Sequence, residues 1–455
     1  MTPAEIKKKY EALKSERSTI EGIWEEIERY VLPFRGKMFQ RDSSENAIDW
    51  RNYELYDSTA VQAAETLAAS MQGSLVSPAT KWFYLNFKND DLMKDNDAKE
   101  WLEACEEQIF MSLAESNFNL EIAECLLELA GFHTSALIEE WDEEEEQLVF
   151  TAVAVKEAFF EFDHNDRVVC FIRHMEWTMT KIVEKFGLEN LPDTIKAKAQ
   201  NPGNAKDRLD ILFAVYRNKD YNDQADPYKP IAEDAREWQY QYVLKSSGET
   251  LGKPGGYHEQ PASVPRWRKY PGSDFGYGPS QIALPDIKML NTLVEMIVRA
   301  TEKVVDPCTM GTQRGVIGDL NLEPGGHTVV RTMDELKVLE SGARFDVSEL
   351  QRDNLQRSIR QTYRVDELEL KESPAMTATE VQVRYELMQR LLGPTLGRLQ
   401  SDLLDPIITR TFRILYRAGK MPELPEILKS SAEDVQIEYT GPLARAQKME
   451  EVAAT

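Results

Sequence analysis

Residues 265–307, PRWRKYPGSDFGYGPSQIALPDIKMLNTLVEMIVRATEKVVDP, constrain the fold more than any other stretch. The segment starts as irregular chain, because Pro265, Pro271 and Gly272 exclude a regular element, and Gly276-Tyr277-Gly278-Pro279 reads as a turn. A helix is expected from there. Ile282, Leu284, Ile287, Leu290, Leu293, Val294, Ile297 and Val298 recur at mostly three- and four-residue steps, while Asp286, Glu295, Arg299 and Lys303 fall mostly off that stripe. Pro307 stops it, and Pro285 sits in its first turn or kinks it. A long helix entered through a rigid aromatic and glycine turn is a strut, and the two glycines are expected to supply conformations that set its angle.

At 455 residues the chain can bury sizeable cores and divides into two or more domains. Hydrophobic residues at 42% and charged residues at 29% are ordinary for a folded soluble chain, which excludes a low-complexity polymer. No window approaches a transmembrane span, and MTPAEIKKKYEALKSER has no apolar core of a signal peptide. The cysteines, at 105, 125, 170 and 308, are too far apart for a metal knuckle or a disulfide framework and point to a reducing compartment. The net charge of −24 argues against gripping nucleic acid through its phosphates; it allows a wall around DNA that does not hold it.

Residues 3–31 keep a helical period through Ile6, Tyr10, Leu13, Ile20, Ile23, Trp24, Ile27 and Tyr30, and Pro33 ends it. A second helix follows a cap at Asp57 or Ser58, then a buried strand at Trp82–Phe87, then helices near 97–115 and 118–136. The acidic run 139–146, EEWDEEEE, suits an exposed turn better than a metal site, whose ligands must converge from several directions. Strands at 148–155 and within 157–174 are joined through Asp163-His164-Asn165-Asp166. Helix is expected at 176–200, broken near Leu191-Pro192, then a small β-rich insertion between two helices at 204–270, and helix at 348–364. Residues 364–376 then break one helix from the next, and Thr377 with Glu380 forms a capping box for a helix to about 418, bent at Gly393-Pro394.

No catalytic signature is present. H-E-x-x-H, G-x-S-x-G and C-x-x-C are missing. GETLGKP at 248–254 is a turn, with three residues between its glycines and Pro254 where a magnesium-binding hydroxyl belongs. His133, His164, His174, His258 and His327 are scattered. These readings give an α+β, mostly helical protein that is not an enzyme, with no cofactor and no metal. An acidic cytosolic metal-dependent hydrolase and an oligomeric scaffold are the alternatives.

Two windows, GSDFGYGPSQIALPDIKMLNTL with the following VVDP, and ESPAMTATEVQVRYELMQRLLGP at 372–394, resemble the head-to-tail connecting (portal) proteins of short-tailed bacteriophages. The resemblance extends over roughly residues 20–440. It implies the portal fold of wing, stem, clip and short crown, and a ring, a dodecamer, at one capsid vertex of the virion, assembled in the host cytoplasm. Double-stranded DNA would pass through it without sequence-specific contact, and its partners would be the terminase large subunit, a tail adaptor, and capsid and scaffolding proteins, with no membrane. The layout it implies is wing at 1–172 and 305–363, a first stem helix at 173–203, a clip at 204–270, a second stem helix at 271–304, a tunnel loop at 364–376, and a bent helix at 377–455 leading to the crown. Arg364, Asp366, Glu367, Glu369, Lys371 and Glu372 would then face the DNA; an exposed connection, acidic for solubility, is the other reading of the same charges. The aromatics of 204–270, among them Trp238, Tyr240, Tyr242 and Tyr257, fit a docking surface or the filling of a small β-core equally well.

Overall fold

In the computed structural model the described residues are 1–35, 55–76, 81–87, 92, 95–221, 228–305, 309–311, 336–338, 345–368, 393, 395–423, 425 and 435–439. Helix α1 (Pro3–Tyr30) begins with a reciprocal cap. The Thr2 backbone N–H donates to Glu5 Oε2 at 2.7 Å, and the Glu5 N–H donates to Thr2 Oγ1 at 3.3 Å. Its stripe serves two cores. Ile6, Tyr10 and Leu13 pack on a sheet through Phe159, Ile172, Leu212 and Val243, whereas Ile20, Trp24 and Ile27 enter the main core. Between the two groups Arg17 is buried, donating to the carbonyls of Val155, Lys156 and Ala158 and lying 3.8 Å from the centre of the Phe159 ring.

Helix α2 (Thr59–Leu75) buries Ala60, Ala63, Ala64 and Ala68, small residues that let it lie close against α4 (Phe118–Phe132). Strand β1 (Phe83–Phe87) and helix α3 (Asn96–Glu115), capped by Asp95, come between them in sequence. Strands β2 (Ala136–Asp142) and β3 (Gln147–Val153) form a hairpin. The turn at 143–146 is exposed, as expected for the acidic run, but Glu139 and Glu140 belong to β2 and Glu139 is buried.

Five antiparallel strands form the largest sheet, in sequence order: β4 (Ala158–Phe162), β5 (Val168–Thr178), β6 (Arg208–Arg217), β7 (Trp238–Leu244) and β8 (Thr250–Tyr257). This refines two expectations. The 204–270 segment is β-rich as expected, but it is preceded by strand as well as helix, and β6 extends the sheet by pairing with β5 from Cys170↔Tyr216 to Thr178↔Arg208. Its aromatics are engaged inside the chain: Trp238 and Tyr242 are buried, and Tyr240 packs on Tyr257 with ring centres 4.8 Å apart. The helix expected at 176–200 is broken, as its Leu191-Pro192 pair predicts, although it starts later and the first break comes earlier. β5 runs through Thr178, and the rest is α5 (Met179–Phe186) and α6 (Asp193–Ala199), separated at Gly187, whose φ of 71° ends the first.

Strand β9 (Ala262–Ser263) pairs with β2. Helix α7 (Pro279–Val305) is the expected strut, with Pro285 inside it. Its buried face is Pro279, Ser280, Ala283, Ile287, Leu290 and Asn291; Ile282, expected to point inward, is exposed. Beyond Asn291 none of its residues is buried. The short β10 (Thr309–Gly311) and β11 (Leu336–Val338) pair with each other, and α8 (Phe345–Thr362) returns antiparallel along α7. Hydrogen bonds from Ser358 Oγ to Asp286 Oδ2 and from the Tyr363 hydroxyl to Ser280 Oγ fix that direction. After α9 (Val365–Leu368), the described part of the expected bent helix includes a π-helical turn at Gln400–Leu404 that leads into α10 (Asp405–Arg417). Strand β12 (Val435–Tyr439) closes onto β1.

Candidate functional site

The foot of α7 is built around His133. Helix α4 ends there because His133 takes a left-handed φ of 64°. Its carbonyl accepts from the Trp267 N–H at 2.9 Å, and its Nε2 accepts from the Gln281 N–H, in the first turn of α7, at 3.2 Å. The imidazole is fully enclosed, and burial pushes its pKa down to about 3, so it is the neutral ring that seats α7. Thr134 Oγ1 accepts from the Gly276 N–H at 2.9 Å, and the Tyr277 N–H donates to the Arg268 carbonyl at 2.8 Å.

Gly276 and Gly278 are needed here for a different reason from the one expected. Neither has a positive φ. A Cβ on Gly276 would lie 2.3 Å from the His133 carbonyl oxygen, and one on Gly278 would lie 2.6 Å from His133 Nδ1 and 2.8 Å from Cδ1 of Trp267. Close approach requires glycine, because no side-chain carbon fits between the two chain segments.

Pro279 opens α7 as its first residue, where its missing N–H costs nothing. Ser280 Oγ then donates to the Ala130 carbonyl at 2.9 Å and accepts from the fully buried Tyr363 hydroxyl at 2.7 Å. Tyr363 is the first residue after α8, and Arg364 follows with φ 59°. Two groups of residues distant in sequence thus come together. Gly278, Pro279, Tyr363 and Arg364 line one cavity of about 110 Å³ with Leu67 and Thr395. The Tyr363 hydroxyl is held above its usual pKa by burial and stays a donor.

Of the acidic group expected after Arg364, Asp366 accepts from Arg360 Nε at 3.2 Å, and Glu367 lies within the single turn of α9. Val365 is buried beside them and anchors that turn. Glu369, Lys371, Glu372, Thr377 and Glu380 lie outside the described residues.

Sequence reasoning missed a buried ionic cluster that holds α10. Arg417 forks onto Glu259 with two bonds of 2.7 Å, and Arg410 donates to the Glu259 carbonyl at 2.7 Å and the Glu139 carbonyl at 3.3 Å. Glu139 accepts from Thr411 Oγ1 at 2.7 Å, and burial raises its pKa to about 8 against the pull of Arg410. Glu259 is held below the usual range by its arginines, although burial opposes them. The four residues are scattered through the sequence and no local pattern flags them. Asp166 also does more than make a turn: it receives Lys269 at 2.7 Å and lies 3.4 Å from the buried Arg266, which ties the β4–β5 turn to the segment before α7.

Burial raises the thiols of Cys105 and Cys170 to about 12, so neither is a nucleophile near neutral pH. Among the described residues no three His, Cys, Asp or Glu side chains converge as a metal site, and no helix is long and apolar enough to cross a membrane. These contacts hold the root of α7 against α4 and join it to the turn that begins at Arg364.

The chain matches the family model described as bacteriophage head to tail connecting protein over residues 3–455. It is 27% identical over 448 residues to the probable portal protein of Bordetella phage BPP-1, covering 96% of this chain and 78% of that one. It is 26% identical over 459 residues to the portal protein of Salmonella phage epsilon15, again covering 96% and 78%. A solved structure of the neck of an empty GTA particle, computed with C6 symmetry, aligns over 88% of this chain and 85% of its own with a TM-score of 0.40 and 9% identity. A match over the whole length, on a mixed helix and strand fold rooted at the Gly276–Pro279 turn, places the chain in the family of bacteriophage head to tail connecting proteins.

Proposed function

We propose that this chain is the portal protein of a short-tailed bacteriophage, a homo-oligomeric ring at one vertex of the virion through which the genome enters and leaves. The observation that carries this reading is the family match over residues 3–455, together with portal relatives aligned over 96% of the chain. It gives the hydrolase alternative no support. The fold suits the role physically. A helix pair rooted in a packed body can line an opening, and identical subunits joined head to tail close into a ring when their rotation permits.

The arrangement of helices favours a layout different from the one expected. The partner of α7 is α8, not the 176–200 segment, so the stem in this proposal is the α7–α8 pair. The clip that meets the terminase and the tail adaptor is assigned in this proposal to the sequence between them, 306–344, most of which lies outside the described residues. The strands of 208–257, continuous with β4 and β5, belong with the wing. The stretch from Arg364 to 376 is the tunnel loop in this reading, its acidic residues centring double-stranded DNA by repulsion, and the helix after Thr377 leads towards the crown. Twelve copies, capsid and scaffolding partners and assembly in the host cytoplasm belong to the same proposal.

Negative-stain electron microscopy of the purified chain, with its mass in solution, tests the reading. Particles with a central hole and a mass many times 52.2 kDa are expected. A chain that stays monomeric at micromolar concentration, or packs into small solid oligomers, would overturn it.

A further inference from the structure

The cavity at the foot of α7 is lined by positive charge and holds no acid. Among the described residues around its 110 Å³, the charged ones are Arg268 and Arg364, and the buried Thr395 adds a hydroxyl. No carboxylate is among them, in a chain whose net charge is −24. The acid nearest Arg364 in sequence, Asp366, is engaged by Arg360 at 3.2 Å. Gly278, Pro279 and Ile282 bring the N-terminus of α7 to the same space, so the positive end of a 27-residue helix dipole lies against it.

His133 supplies an independent sign. Its Nε2 accepts from the Gln281 N–H at 3.2 Å, so the proton of the neutral ring sits on Nδ1, which is a donor. The residue is 1% exposed, and Nδ1 has no hydrogen-bond partner. The Leu129 carbonyl near the ring already accepts the His133 backbone N–H at 3.0 Å. Nδ1 faces Gly278, 2.6 Å from where a Cβ of that residue would stand, and Gly278 is part of the cavity wall. A buried donor without an acceptor is costly, and here the matching acceptor belongs on the cavity side of that glycine. Water would match the donor but not the charge of two arginines and a helix end.

Size narrows the occupant. A water's share of liquid volume is about 30 Å³. A cavity of about 110 Å³ therefore has room for one halide-sized ion with about two or three waters, and none for a nucleotide.

We propose that this cavity binds one small monovalent inorganic anion of chloride size, held between His133 Nδ1, Arg268 and Arg364 at the positive end of α7. Bound there, the anion ties the end of α4, the foot of α7 and the turn that begins at Arg364. The site stands on the cavity and does not need the ring reading.

The test compares the full, unassembled chain in sodium chloride and in sodium isethionate, whose bulky anion the cavity cannot admit, at equal ionic strength. An anion that binds only the folded chain multiplies the folded-to-unfolded ratio by 1 + [anion]/Kd, so urea unfolding in about 0.5 M chloride should give a ratio at least about fivefold that in isethionate, saturating as one site. Arg268→Gln with Arg364→Gln should lose most of that difference, and neither arginine is buried. In crystals grown with bromide, an anomalous peak should lie in the cavity within hydrogen-bond distance of His133 Nδ1. Equal stability in the two salts, or a difference that the double variant keeps, would overturn the proposal. A bromide peak there without any chloride effect on stability would mark an adventitious ion only and overturn it as well. Should the variant fail to fold, the bromide peak in the wild-type chain decides, and a cavity without one overturns the site.

Discussion

Replacing Gly278 with alanine is the sharpest test of how α7 is seated. The added Cβ would lie 2.6 Å from His133 Nδ1 and 2.8 and 2.9 Å from Cδ1 and Cγ of Trp267, both buried rings. Neither ring can swing away like the end of a lysine. His133 accepts from the Gln281 N–H at 3.2 Å, and the Trp267 backbone donates to the His133 carbonyl at 2.9 Å, so a shift in one strains the other. Overpacking of this kind costs about 1–3 kcal/mol. Loss of the His133–Gln281 hydrogen bond would add about 1 kcal/mol. Controls come from the same chain. Gly272→Ala has open space but a φ of 76°, so it should cost only the backbone strain of about 1 kcal/mol. Gly73→Ala lies in a helix with nothing near its Cβ and should stabilise by about 0.5–1 kcal/mol. Gly276→Ala meets a backbone oxygen at 2.3 Å and should be worst. Urea unfolding of the unassembled chain should therefore rank wild type above Gly272→Ala, Gly278→Ala and Gly276→Ala in that order, with Gly73→Ala above wild type. Wild-type stability for Gly278→Ala, or a Gly276→Ala milder than Gly272→Ala, would refute the close-approach argument.

Other expectations follow from the same geometry. Tyr363→Phe removes the donor to Ser280 but leaves the Ser280 bond to Ala130, so urea unfolding should show a loss of about 1 kcal/mol, against about 3–5 kcal/mol for Tyr363→Ala. Glu139 has a folded pKa of about 8, raised from 4.5, so its stabilising contribution is full below the lower value and lost as pH rises through the upper one. Thermal midpoints should fall from pH 5 to 9 more steeply in the wild type than in Glu139→Gln, and parallel curves would remove the burial argument. Replacing Glu367, Glu369 and Glu372 with glutamine should alter DNA packaging or retention while rings still assemble. A cysteine at Glu369 should crosslink to packaged DNA or resist bulky thiol reagents in filled heads, and free labelling there with unchanged packaging would sink the tunnel-loop role.

Local pattern determined much of this protein. The period of apolar residues in α1 and α7 and the strand-and-turn chemistry around Asp163–Asp166 depend on neighbours a few residues away, and these elements stand close to where the pattern put them. The motif windows around Gly276–Pro279 and 372–394 carried the family, which no composition could have supplied. Only tertiary structure decided the rest. A run such as 209–217 shows itself to be a strand, but its partner is chosen by long-range pairing, and nothing local in the sequence named β5 as the neighbour of β6. Ile282 and Ile287 have similar side chains, and only the packing of α7 on the body buries one and exposes the other. The glycines of the entry turn looked conformational in sequence and proved steric, because the atoms that exclude a Cβ belong to His133, more than 140 residues earlier. Glu139 read as one carboxylate in an acidic turn until β2 and α10 enclosed it with Arg410, a meeting that depends on contacts across 271 positions of chain.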